Sequence, residues 1–205
     1  PDVIKKVIEL LQHLPGIGPR QAERFAYALI DMKAEAPRAL GESLIALAAG
    51  VTRCQECMRV VETGHRTCAT CADGAVRHLI VVEKDQDIDA FERSGITDTG
   101  FHLLRGFILG GPDDAMVRDR IRSLYARIET LLKNPSDASV EITLAFAATA
   151  DGDMTAAYIA KILEPLASSK LSITRLGRGL STGSELEYAD RDTIKNAFAS
   201  RNKTP

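Results

Sequence analysis

Apolar residues recur at helical spacing through the first 53 residues of the chain. A spacing of three and four residues places such side chains on one face of a helix. The pattern therefore predicts that residues 1–53 are helical, with amphipathic faces formed by Val3, Ile4, Val7, Ile8, Leu11 and Leu14, then by Ala22, Phe25, Ala26 and Leu29, and then by Leu40, Leu44, Ile45 and Leu47.

From residue 78 onward, short apolar runs alternate with amphipathic stretches. The predicted strands are His78–Val82, Val140–Phe146 and Leu171–Thr174, and the predicted helices are Met116–Leu132 and Thr155–Leu166. Strands that alternate with helices are typical of a parallel α/β sheet. The intervening residues 54–77 are too poor in apolar side chains to bury a core unaided.

A turn rich in glycine and proline, running from Leu14 to Arg20, connects the first two apolar series. Its glycines permit left-handed backbone, and Pro19 suits the first turn of the next helix. Backbone N–H groups at such a helix start can hold a phosphate without reading base sequence. We predict a helix–hairpin–helix motif with a central, buried Ile17; a plain interhelical turn is the alternative. The DNA-binding residues would be Gly16, Ile17, Gly18, Arg20 and Arg24.

The composition changes this picture only in part. Of the 205 residues, 45% are hydrophobic and 26% are charged, and the formal net charge is −2. Without a basic surplus, a protein that coats DNA through bulk electrostatics is disfavoured, so DNA contact would depend on a few placed groups. The sequence contains no apolar run of about 18 residues, so no transmembrane helix is predicted. The N-terminal residues lack the layout of a signal peptide, so a cytoplasmic protein is expected.

All four cysteines lie between positions 54 and 71, in the two C-x-x-C pairs Cys54/Cys57 and Cys68/Cys71. Two such pairs can complete a closed tetrahedron of thiolates around Zn²⁺, which leaves no open position for catalysis. Redox chemistry and free buried thiols are the alternatives, but redox C-x-x-C motifs occur singly. We predict one structural zinc ion per chain, with His65 exposed in the intervening loop.

Acidic residues follow two of the predicted strands: Glu83 after the first, and Asp151 and Asp153 after the second. In a parallel sheet the carboxyl ends of the strands share one edge, so these three carboxylates could converge on Mg²⁺. The alternative is that they are solvated loop acids, with Asp153 capping the following helix. None of the four tyrosines has an evident activating neighbour, so no catalytic residue is assigned: Tyr27, Tyr125, Tyr158 and Tyr188.

Other polar residues give weaker indications. His102, between Phe101 and Leu103, is expected to be half-buried and hydrogen-bonded. The helix that carries Arg118, Arg120, Arg122 and Arg127 also carries acids, which favours a solvated face. The loop that contains Arg175 and Arg178 could contact either phosphate or a neighbouring subunit.

In their order along the chain, these motifs resemble the bacterial RecR family of recombination mediators. The resemblance is carried by Leu14–Arg24, Cys54–Cys71, Leu79–Asp87, Phe101–Gly106, Asp151–Ala160, Thr174–Gly183 and Leu186–Tyr188. It implies a multi-domain α plus α/β protein: a helix–hairpin–helix domain (1–53), a four-cysteine zinc finger (54–77), a Toprim domain (78–170) and a C-terminal Walker-B-like strand and helix (171–205).

The resemblance also implies a function. Members of the family form ring-like tetramers that encircle DNA and act with RecO, and in some settings RecF, to help RecA load at single-stranded gaps. A non-catalytic role is therefore expected, and Mg²⁺ is not expected to be required. The alternative is a Mg²⁺-dependent Toprim nuclease, primase or topoisomerase that uses Glu83, Asp151 and Asp153.

Two departures from the family pattern affect local geometry. The family has Glu-Gly-Glu or Glu-Gly-Asp where this chain has Asp151-Gly152-Asp153, so the implied contact with RecO is made through a shorter carboxylate. Arg105 stands where the family has a glycine.

Overall fold

The computed structural model describes residues 1–74, 76–96, 99–111, 114–133 and 139–201. The chain divides into two compact units, Pro1–Val51 and Thr52–Pro205. The last four residues of the predicted C-terminal segment, 202–205, lie outside the described residues.

The N-terminal unit consists of three helices: α1 (Asp2–Gln12), α2 (Pro19–Asp31) and α3 (Glu35–Gly50). Helices α1 and α2 pack against each other. Only the small residues Ala22 and Ala26 are buried in the unit, and neither α1 nor α3 buries any residue. The helical prediction is confirmed as far as Gly50, whereas Val51–Arg53 form a strand, and the apolar stripes remain largely exposed.

The second unit begins with the small elements around the cysteines and continues into a parallel sheet. The small elements are β1 (Val51–Arg53, across the boundary between the units), β2 (Val60–Glu62) and α4 (Ala69–Asp73). The larger part contains β3 (His78–Val82), α5 (Asp85–Arg93), β4 (Gly100–Leu103), α6 (Ala115–Lys133), β5 (Val140–Ala145), α7 (Ala150–Leu163), β6 (Leu171–Arg175) and α8 (Arg191–Ala199).

The four-stranded sheet has the order β4–β3–β5–β6, and every neighbouring pair is parallel. At its carboxyl edge, Val82 lies beside Leu103 on one side and Ala145 on the other, and Leu144 lies beside Arg175. The parallel α/β prediction is confirmed. Strand β6, which the family resemblance assigns to the C-terminal segment, is hydrogen-bonded to β5 within this sheet.

Both faces of β3 are buried, as in most parallel strands. Leu79 and Val81 pack in the core formed with α6 and α7, whereas Ile80 and Val82 pack with α5 on the opposite face. Met58, from the cysteine region, also packs against this second cluster. The cysteine region is therefore attached to the α5 side of the sheet.

Several elements differ from the sequence-based expectations; helix α7, for example, begins at Ala150 rather than at Thr155. Strand β4 and helix α5 were not predicted, because β4 has only four residues with a histidine among them, and α5 begins inside an acidic run. His102 in β4 is fully buried rather than half-buried, and its Nε2 lies 2.9 Å from the carbonyl oxygen of Arg120. In the part of the chain that the structure describes, no helix is both long and apolar enough to cross a membrane.

Candidate functional site

The turn between α1 and α2 has the geometry of a hairpin that is open to solvent. Gly16 has a φ of 81°, a left-handed conformation that favours glycine, while Gly18 is extended and serves as the N-cap of α2. No side chain caps α2, and Pro19 occupies its first turn, so the first free N–H groups of the helix have no side-chain partner. A Cβ atom added at either glycine would meet nothing within 4 Å.

Ile17 is half-buried rather than buried, and its N–H donates to the carbonyl of Leu14 at 3.2 Å. Arg20 and Arg24, one turn apart on α2, are both exposed. Within the described ranges, neither arginine forms an ion pair. The hairpin thus combines uncapped backbone N–H groups with two exposed guanidinium groups, which is the chemistry that a phosphate backbone requires.

The four cysteines form a compact cluster. The ligand atoms of Cys54, Cys57, Cys68 and Cys71 all lie within 4.8 Å of one another, and no disulfide joins them. The sulfurs of Cys57 and Cys68 are 3.7 Å apart. Four thiolates at about 2.3 Å from a tetrahedral Zn²⁺ would be separated by about 3.8 Å. The cluster can therefore bind a metal ion and is consistent with a zinc finger.

Hydrogen bonds around the cluster favour thiolate formation at one cysteine. Burial of Cys54 acts to raise its pKa, but nearby backbone N–H groups outweigh this effect and lower the pKa to about 7. One of them, the N–H of Cys68, donates to the Cys54 sulfur at 3.4 Å. The Cys57 pKa is raised by its side-chain hydrogen bond with Cys71 and by burial, as expected for crowded thiols without a metal ion. A bound cation would favour the thiolate forms.

The metal-binding cluster is tied to the sheet by several contacts. The N–H of Leu103 in β4 donates to the carbonyl of Cys57 at 3.0 Å. Arg53 forms an ion pair with Asp85 at 2.6 Å, and Arg59 forms one with Glu92 at 2.5 Å. Because α5 carries both acids, the cysteine region is held on α5 and β4.

The three acidic residues at the carboxyl edge of the sheet are not brought together. Glu83 follows β3, and Asp151 and Asp153 lie in the first turn of α7. Among the described residues, the cysteine cluster is the only group of three or more potential ligands whose ligand atoms are mutually close. The structure therefore does not assemble the carboxylates into the arrangement expected for Mg²⁺.

Asp153 instead binds two arginines, one at the end of β6 and one three residues beyond it. Arg175 and Arg178 both donate to its carboxylate, and the second bond of Arg178 measures 3.1 Å. These hydrogen bonds, with that of Arg178 the stronger, lower the Asp153 pKa to about 2. Asp153 is not the helix cap either, because the hydroxyl of Thr149 accepts the N–H of Gly152 at that position.

One prediction about arginines is corrected. The α6 arginines do not all lie on a solvated face: Arg120 is 8% exposed and donates to the carbonyl of Leu104, and Arg127 donates to the sulfur of Cys71. The structure also shows a contact of Arg175 and Arg178 that was not predicted, since both bind Asp153 in the same chain. Nothing in the local pattern identifies these partners, since they lie 16 to 56 residues away in sequence.

Three regions of the chain match known protein families. Residues 4–48 match the family described as RecR, helix-hairpin-helix, residues 77–177 match the Toprim domain, and residues 179–202 match the family described as RecR, C-terminal. The first match covers most of α1, the hairpin, α2 and most of α3, and the second covers the whole four-stranded sheet.

The chain is also similar over nearly its full length to curated proteins named Recombination protein RecR. It is 35% identical to that of Carboxydothermus hydrogenoformans, with 97% of this chain and 95% of the relative aligned. It is 34% identical to that of Herpetosiphon aurantiacus, with 98% and 94% aligned. It is 33% identical to that of Staphylococcus aureus strain JH9, with 98% and 97% aligned.

Proposed function

The chain belongs to the RecR family of recombination proteins, and from this premise we propose that it is a non-catalytic DNA-binding mediator of recombinational repair. It binds DNA without sequence preference, assembles into a ring-like tetramer, and acts with RecO, and in some settings RecF, to help load RecA at single-stranded gaps. The observation that carries the proposal is the open hairpin between α1 and α2, with its uncapped N–H groups and two unpaired arginines.

DNA contact by this hairpin is expected to be weak in a single chain. Gly16, Ile17 and Gly18 present backbone, and only Arg20 and Arg24 add charge, so few phosphates are neutralised per copy. The net charge of −2 offers no help from the rest of the chain. Several hairpins held in one assembly would raise the affinity through effective concentration.

The exposed apolar surface of the N-terminal unit supports such an assembly. A cleft of about 560 Å³ between its three helices is lined almost entirely by apolar side chains. Among them, Val3, Leu10 and Leu44 are each more than half exposed. An apolar surface of this kind usually marks an interface, and a second copy of the chain is the occupant that fits a homo-oligomer.

The four cysteines act as a structural zinc site in this proposal. Cys54, Cys57, Cys68 and Cys71 would supply four thiolates and fill the coordination sphere, so the metal would contribute to folding rather than to chemistry. This role agrees with the position of the cluster, which is fastened to β4 and α5 by backbone and ion-pair contacts.

The acidic turn at the start of α7 is proposed as a docking surface for RecO. Asp151 is exposed at this turn and, among the residues that the structure describes, forms no ion pair with an arginine. Asp153 is less available to a partner, because its carboxylate already accepts hydrogen bonds from Arg175 and Arg178. Asp151 is therefore the better candidate for a contact with a basic partner surface.

A Mg²⁺-dependent enzyme remains the second candidate function because the Toprim sheet carries Glu83, Asp151 and Asp153 at its carboxyl edge. The separation of these ligands and the pairing of Asp153 disfavour it. Incubating the purified protein with Mg²⁺ and labelled DNA separates the two functions. Cleavage, relaxation or synthesis that is abolished by Asp151→Asn would overturn the non-catalytic proposal.

The first test of the mediator proposal is DNA binding by the full chain at low and moderate salt, with the mass in solution measured in parallel. Salt-sensitive binding by a species of about four chains is the expected result. A monomer without DNA affinity at either salt concentration would contradict both the clamp and the assigned hairpin.

A further inference from the structure

Arg127, on α6, connects the cysteine cluster to the sheet through one guanidinium group. Its Nη1 donates to the carbonyl of Phe101 in β4 at 2.8 Å, and its Nη2 donates to the sulfur of Cys71 at 3.3 Å. The side chain is half-buried, and its two partners lie 26 and 56 residues away in sequence. A single side chain thus joins α6, β4 and the metal-binding cluster.

The charge of the cluster gives this contact its significance. Four thiolates around one Zn²⁺ carry a doubly negative charge, and Cys54 and Cys57 are buried, so water alone compensates that charge poorly. Hydrogen bonds to ligand atoms orient them and stabilise their charged form. The N–H of Cys68 supplies a neutral donor to Cys54, whereas Arg127 supplies a charged donor to Cys71.

The other arginines of the region are engaged elsewhere. Arg53 binds the carbonyl of Met58 and the carboxylate of Asp85. Arg59 pairs with Glu92, and Arg66 donates to the side-chain oxygen of Gln55. Among the described contacts of these arginines, only those of Arg127 include a cysteine sulfur.

We propose that Arg127 is a positioning residue for the metal centre: it compensates the charge of the thiolates, holds Cys71 in place and couples the centre to β4. This inference rests on the proposed zinc site. A planar guanidinium is suited to the role because its fixed fork reaches a sulfur and a carbonyl at once, which a lysine ammonium on a flexible stem does less well. Strand β4 also donates from Leu103 to the carbonyl of Cys57, so metal binding and the edge of the sheet are linked at two points.

The test compares zinc affinity and zinc release in three full-length variants. Arg127→Gln removes the charge and shortens the donor, and Arg127→Lys keeps the charge but loses the fork. Arg122→Gln is the matched control, because Arg122 lies on the same helix and pairs with Asp119 at an exposed position. The expected result is a zinc affinity about 10- to 100-fold weaker in Arg127→Gln, a smaller loss in Arg127→Lys, and no change in the control.

A second measurement separates this role from a general contribution to folding through Phe101. Denaturation midpoints of the wild type and Arg127→Gln are compared with zinc bound and after chelation. If Arg127 acts on the metal centre, the substitution lowers the midpoint more in the zinc-bound protein than in the zinc-free protein. Equal losses in both states, or a release rate equal to that of the wild type, would overturn the inference.

The zinc content of the wild-type protein distinguishes a failure of the proposed role of Arg127 from a failure of the proposed zinc site. About one zinc per chain in the wild type, with unchanged affinity in Arg127→Gln, refutes the role of Arg127 alone and leaves the zinc site standing. A wild-type protein that binds no zinc in the absence of chelator refutes the zinc site and the inference together.

Discussion

The geometry of the hairpin between α1 and α2 predicts how strongly DNA affinity should depend on salt concentration. Arg20 and Arg24 are exposed on α2 and make no ion pair with a described residue, so both are free to neutralise phosphates. Replacing both by glutamine removes two positive charges without adding repulsion. The backbone N–H groups of the hairpin, which can still hold a phosphate, are not altered by this change.

The expected magnitude follows from counterion release. If each arginine neutralises one phosphate of duplex DNA, the double substitution reduces the slope of log K against log salt concentration by about 1.8 per bound chain. Between about 50 and about 200 mM salt, the wild type would then lose about twelvefold more affinity per chain than the variant. On single-stranded DNA the corresponding difference is about sevenfold, because fewer counterions are released per contact.

Fluorescence anisotropy with labelled DNA at four or more salt concentrations measures both slopes. The matched control replaces Lys33 and Arg38, which are exposed residues of the same unit outside the hairpin, by glutamine. The control changes the net charge equally, so its slope should stay near that of the wild type. A hairpin variant with the wild-type slope, or a control that loses as much, would show that the phosphates are bound elsewhere.

Three further predictions concern stability and ionisation. Cys54→Ser should reduce zinc below about one ion per chain and lower stability by more than about 2 kcal/mol, and metal analysis with wild-type zinc content would contradict this. Asp114→Ala should lower the free energy of unfolding, measured by urea denaturation, by about 3 kcal/mol. The buried Asp114 carboxylate accepts hydrogen bonds from the backbone N–H groups of residues 109–111, at 3.0, 2.8 and 3.2 Å. An unchanged denaturation midpoint would refute this explanation. The pKa of Asp153, about 2 in the folded chain, lies below its unfolded value of about 3.9. Its pairing with Arg178 and Arg175 should therefore stabilise the protein above about pH 4, and this contribution should be lost as the pH falls toward 2. Because the site is half-exposed, the contribution should be less than about 1 kcal/mol. A carboxyl NMR titration with a midpoint near 4 would contradict it.

The elements with strong periodicity could be predicted from the sequence. The strand His78–Val82 was predicted with its observed bounds, because a continuous apolar run fits a strand buried on both faces. The helix predicted at Met116–Leu132 extends by one residue at each end. The cysteine cluster was equally predictable, since two C-x-x-C pairs leave few arrangements other than a shared metal site.

Elements without a local signal were missed for physical reasons. Strand β4 acquires its strand structure from pairing with β3, where His102 lies beside Val81. The imidazole is tolerated there because its Nε2 reaches the carbonyl of Arg120. Burial lowers the pKa of His102 to about 4, with Arg127 adding to the effect, so the ring is neutral and fits among apolar neighbours. A tertiary partner that lies 18 residues away in sequence decides this outcome.

The acidic edge of the sheet shows why carboxylates at strand ends do not by themselves predict a cation site. The same parallel topology that places Asp153 after β5 also places the end of β6 beside that of β5, and β6 brings Arg175 and Arg178 with it. Two guanidinium groups satisfy the Asp153 carboxylate without a diffusible cation, so this acid is less available as a ligand for Mg²⁺. Whether a set of acids binds a metal therefore depends on which side chains the neighbouring strand carries, and here those side chains lie 22 and 25 residues further along the sequence. On this reasoning a parallel sheet can carry several acids at its carboxyl edge without bringing them together as a metal site.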